Sequence, residues 1–105
     1  MSKKSMMDQM TNLLDDGGAA MLVYMVFAKY PKGTIITMKY LTQRAWEAAM
    51  QVVNDQQAKF LRTVEGEFCI QMSIDRYIHA HCTDNPHYNK TVRKIVGKCG
   101  GIELI

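Results

Sequence analysis

His79, His81, Cys82 and His87 fall within nine residues, and imidazole with thiolate is the donor set that zinc prefers. The spacing matches no structural zinc pattern, which pairs CxxC with HxxxH or a close variant. If residues 73–82 are helical, His79 and His81 are two apart and face different directions. His81 then shares a face with Ile74, Tyr77 and Ile78 and reads as a partly buried packing residue. Nucleophilic catalysis needs a Cys or Ser aligned with a base, which adjacency of His81 and Cys82 does not provide. Cys69 and Cys99 read as small core residues. The glycines of "GKCGG" (97–101) follow an apolar stripe instead of preceding a helix, so they suit a helix C-cap better than a phosphate cradle. No pair of carboxylates stands out. These residues imply a binding protein without catalysis, metal or cofactor.

The totals agree with that class. The 105 residues make one domain, 48% hydrophobic and 22% charged, an ordinary balance for a folded chain with one core. The longest apolar run, Ala19 to Ala28, has ten residues and is too short to span a bilayer. Three widely spaced cysteines without CxxC suit reduced thiols, so a soluble cytoplasmic protein with no membrane partner is expected. A net charge of +3 permits nucleic acid as partner without requiring it.

Periodicity supplies the elements. Met6, Met10, Leu13 and Leu14 have helical spacing in residues 1–16, ending at Gly17-Gly18; this amphipathic helix packs on its own domain or pairs with a second copy. Ala19 to Tyr30 is apolar almost all round and reads as a central buried helix, closed by Pro31 and Gly33. Residues 33–36 suit a short strand, and Thr37 an N-cap. Met38, Leu41, Ala45, Ala48, Ala49, Val52 and Val53 recur at offsets of three and four. They fit one helix to Gln57, or two with a turn at Thr42 to Arg44 and Thr42 as second cap. In "KFLRTVEGEFCIQM" (59–72), alternating runs flank Glu65-Gly66 and predict a β-hairpin. Ser73 then caps a helix to Cys82. Thr83, Asp84 or Asn85 caps a last one, with Val92, Ile95, Val96 and Cys99 as its stripe. Leu22, Phe27, Leu41, Val52, Phe60 and Ile70 are the expected core.

The order buried helix, strand, helix or two, hairpin resembles the winged helix-turn-helix domains of bacterial and phage regulators. The likeness is one of fold pattern over residues 19–72, flanked by helices in 1–16 and 73–105. It implies an α+β, mainly helical domain with one β-hairpin, acting as a homodimeric, sequence-specific DNA-binding transcriptional regulator. In such domains the second helix of the pair enters the major groove and the hairpin touches phosphates. By position, Ala45 to Gln57 becomes the reading helix, presenting Gln43, Arg44, Glu47 and Gln51. Lys59 and Arg62 lie on the wing, and Lys39 is a further phosphate contact. Lys90, Arg93, Lys94 and Lys98 add a basic stripe on the last helix. The acidic "EGE" at the wing tip fits DNA poorly. It favours the alternative, a compact phage- or plasmid-type protein that binds and inhibits or adapts a host protein complex.

Overall fold

The computed structural model describes residues 6–82, 92–95 and 101–104, and not the side chains of Met7, Lys94 and Ile95. The described residues form five helices and three strands in the order α1 (Met6–Leu13), α2 (Asp16–Phe27), β1 (Ile35–Ile36), α3 (Met38–Val52), α4 (Asp55–Leu61), α5 (Val64–His81), β2 (Val92–Ile95) and β3 (Gly101–Leu104). The class is α+β and mainly helical, as expected. The hairpin, however, lies some thirty residues later in the chain than the sequence pattern places it.

Caps account for the helical start of residues 54–66, where a hairpin was expected from 59 onward. Asn54 and Gln57 form a reciprocal capping box, with Asn54 Oδ1 accepting from Gln57 N–H at 2.8 Å and Gln57 Oε1 accepting from Asn54 N–H at 3.1 Å. Nine residues after Asn54, Thr63 Oγ1 accepts from Gly66 N–H at 3.1 Å and starts α5. Glu65 and Glu67 sit in that helix's first turn, where carboxylates complement the unpaired N–H groups. Gly66 is needed for close approach and not for a hairpin turn: a Cβ there would run into the Phe60 carbonyl oxygen. Gly18 plays a similar part. It lies in the first turn of α2, capped by Asp15, where a Cβ would strike the Leu13 carbonyl oxygen. The Gly17-Gly18 pair therefore permits a tight α1–α2 join instead of merely breaking a helix.

Two other boundaries moved. α3 runs unbroken through Thr42 to Arg44, because Thr42 is not a cap: its hydroxyl donates back to the Met38 carbonyl at 2.9 Å. The break comes instead at Val53-Asn54, while Thr37 caps α3 as expected, accepting from Tyr40 N–H. Ser73 lies inside α5, buried, and donates to the Leu14 carbonyl at 2.9 Å, tying α5 to the end of α1.

α5 is the hub, packing against α1, α2, α3 and α4. Met10, Leu22, Leu41, Leu61, Ile70, Ile74 and Ile78 are fully buried around it. Of the expected core, Leu22, Phe27, Leu41 and Ile70 are buried and Phe60 partly so. Val52, the last residue of α3, is 49% exposed, while Ala49 in the same turn stays in the core. α2 is not wrapped on all sides, since Met21 and Tyr24 face outward.

The sheet order is β1-β3-β2, with both pairings antiparallel. Ile36 pairs with Ile102 and Lys94 with Ile102 on the other edge, while Val92 pairs with Leu104. Val92 and Ile102 are buried, and Cys82 at the end of α5 bridges to Val92. The helix expected to carry Val92 and Ile95 is thus a strand. A run as short as "VRKI" fits either period. The caps proposed for that helix, and Val96 and Cys99, lie outside the described residues.

Candidate nucleic-acid interface

The exposed face of α3 presents Lys39, Gln43, Glu47 and Gln51, one residue per turn. Lys39, Gln43 and Arg44 share a groove of about 550 Å³ between α3 and α5, with Trp46, Glu67 and Gln71 opposite or beside them. Trp46 is fixed there by donating Nε1–H to the Leu61 carbonyl at 2.7 Å. Gln51 turns the other way, toward Lys29 and Tyr30 on the α2 side, where Arg44 also reaches. The four α3 residues singled out for DNA contact are therefore on one helix but divide between two grooves.

Arg44 is not poised to read a base. Its guanidinium sits 2.6 Å from the Glu47 carboxylate and 4.6 Å from the centre of the Tyr40 ring. Those hydrogen bonds to Glu47 and Tyr40 hold it protonated well above the ordinary arginine range. The Tyr40 hydroxyl lies 3.1 Å from that of Tyr30. Their shared hydrogen bond raises Tyr30 and lowers Tyr40, with Arg44 helping to lower Tyr40. A base contact from Arg44 would first have to break this cluster.

Lys59 and Arg62 are exposed, but they belong to the last turn and C-cap of α4, not to a wing. The residues expected to form the wing, 59–72, are helical because the Asn54 and Thr63 caps override alternation in the side chains. Arg93 and Lys94 lie on β2. Arg93 is exposed and stands across the strand pair from Glu103. Lys90 and Lys98 lie outside the described residues.

Charge is unevenly shared. Residues 6–82 hold seven Lys and Arg against eight Asp and Glu, whereas residues 83–105 hold four against two. Between Lys90 and Lys98 there are four cations and no acid.

His79 and His81 face different directions as expected, and His87 lies outside the described residues. His79 is exposed and pairs with Asp75 at 3.5 Å, while the His81 side chain is 12% exposed, 2.8 Å from Asp16 and stacked on Tyr77. Among the described residues no three His, Cys, Asp or Glu side chains could hold a metal ion, and no helix is long and apolar enough to cross a membrane.

One surface was missed by the sequence reading. Val64, Phe68 and Met72 on α5 are 84%, 55% and 52% exposed. Read as a strand, they alternate with polar residues; read at offsets of four, they form one helical stripe. Comparison with known protein families, with characterised proteins and with solved structures finds no match.

Proposed function

We propose that the protein is a non-enzymatic DNA-binding regulator of winged-helix type, acting as a homodimer, whose wing is the β2–β3 hairpin. The observation that carries this reading is the hairpin's place and charge. It follows the helices, it is joined through β3 to the strand between α2 and α3, and β2 carries Arg93 and Lys94 within a stretch of sequence, 90–98, that holds four Lys and Arg and no acid. That is the element order of a winged helix with one helix more between β1 and the hairpin, and with phosphate-seeking charge where the wing belongs. Lys39 and Gln43 on α3 supply a second contact on this reading, while Lys59 and Arg62 do not serve as wing residues. Glu67 borders the groove that holds Lys39 and Gln43 and would repel phosphate there, so the hairpin carries the larger share of the contact on this reading.

The test is a shift assay with random duplex DNA across a salt series. Log affinity falls linearly with log salt, with a slope of about −0.9 per phosphate neutralised. Changing Arg93 and Lys94 to Ala flattens the slope, whereas changing Lys59 and Arg62 leaves it alone. The protein-binding alternative is favoured by the balanced charge of residues 6–82 and by Glu65 and Glu67. Absence of any salt-dependent DNA binding would decide for it.

A further inference from the structure

We infer that the exposed stripe of α5 is the face on which a second copy of this chain docks, with the two α5 helices antiparallel across a two-fold axis between Phe68 and Met72. This names the surface for the dimer of the proposed function and rests on that reading only for the number of chains.

Three features point to a second copy rather than to another occupant. Val64, Phe68, Met72 and Arg76 recur every four residues, so they form one line along the helix. The line is apolar for three positions, and each apolar side chain is about half exposed or more. It is not a scattered set of surface residues, which would need no partner. Beside it, Phe68 and Met72 border a hollow of about 200 Å³ with Met10, Thr11 and Leu14, large enough to take part of an opposing side chain.

The second feature is the arrangement of charge. An antiparallel two-fold pairing centred between Phe68 and Met72 sets Phe68 of one chain against Met72 of the other. The same operation brings Val64 to Arg76 and leaves Glu65 beside Arg76 on the same flank. Every interface related by a two-fold axis repeats its contacts, so one Glu65–Arg76 pairing becomes two. A parallel arrangement would instead set Glu65 against Glu65 and Arg76 against Arg76. The stripe is therefore complementary to itself in one orientation.

The third feature is what surrounds the stripe. Glu67 and Gln71 turn into the groove with α3, and Asp75 turns to the same side, where His79 pairs with it. Glu65 and Arg76 are exposed, with Arg76 also donating to the Leu14 carbonyl at 3.1 Å, which holds its side chain along the α1 edge of the stripe. The charged residues that border the face on the α1 side are thus Glu65 and Arg76, which the two-fold sets side by side one residue out of register, while Asp75, level with Glu65 of the second copy, lies on the opposite flank.

The experiment is sedimentation of the protein alone, without DNA, over a concentration series. The expected species is a dimer of the 12.0 kDa chain that dissociates on dilution. Phe68→Glu gives a monomer at every concentration while its thermal melt stays near that of the parent, because Phe68 lies at the surface. Glu65→Arg weakens the dimer by about tenfold, since two symmetry-related attractions become repulsions. Adding Arg76→Glu to it restores the parent affinity. A monomer at all concentrations overturns the assignment, and so does a dimer indifferent to Phe68→Glu and Glu65→Arg. Because no DNA is present, failure of DNA binding leaves this outcome readable.

Discussion

The helices around α5 and the β2–β3 hairpin are held by different means and carry different charge. α5 is gripped by four other helices, by the Thr63 cap and by the Ser73 bond to Leu14. The hairpin rests on backbone pairing, with Val92 and Ile102 as its buried side chains among the described residues. Acids slightly outnumber bases in the helical part, whereas bases exceed acids beyond residue 82. If the hairpin is the wing proposed above, stability and phosphate affinity lie in separate regions, and each should be alterable without the other.

The largest effect should come from the helical core. Leu41 is fully buried between the helices, so Leu41→Ala is expected to cost about 2–5 kcal/mol in a denaturant melt. The same variant, at a temperature where it is folded, should keep the parent salt slope on DNA. Loss of the slope with the fold intact would break the division between regions.

Gly66→Ala is expected to come next, at about 1–3 kcal/mol, because the new methyl meets the Phe60 backbone and α4 must move from α5. A melt unchanged by this variant would mean that the α4–α5 approach is looser than described. Asn54→Ala removes one half of the capping box and should cost about 1 kcal/mol. If Asn54→Ala instead converts residues 59–72 to strand by circular dichroism, caps govern this segment more strongly than packing does.

The smallest expected effect concerns the thiol of Cys69. Burial first, and the nearby Glu65 carboxylate second, push its pKa up. Less thiolate is then present at neutral pH than for an ordinary thiol, so alkylation should be slow and should speed as pH rises. Alkylation at the rate of a free cysteine would contradict this burial.

The class, the short strand before α3, the Thr37 cap and most of the core were legible from spacing alone. The exchange of helix and strand between 59–72 and 92–95 was not, and the reason is physical. "FLRTVEGEFCIQ" satisfies a period of two as well as a helical one, and the choice falls to Asn54, Gln57 and Thr63, whose caps act from outside the alternating residues. In the sequence Gly66 reads as a turn former, because its actual role depends on how near Phe60 comes, which is a tertiary fact. The candidate site suffered accordingly. Gln43, Glu47 and Gln51 face outward from the helix as expected, but Arg44 is committed to Glu47 and Tyr40, and Lys59 and Arg62 lie on a helix and not on a wing.

The most direct test sets the two regions against each other on the same DNA. Salt-dependent affinity is measured for the parent, for Arg93→Ala with Lys94→Ala, and for Lys59→Ala with Arg62→Ala. The expected result is a negative salt slope that shrinks by about 0.9 for each phosphate contact removed in the hairpin variant and stays unchanged in the α4 variant. A slope indifferent to the hairpin, or no binding by the parent at all, would contradict the assignment of the hairpin as a wing.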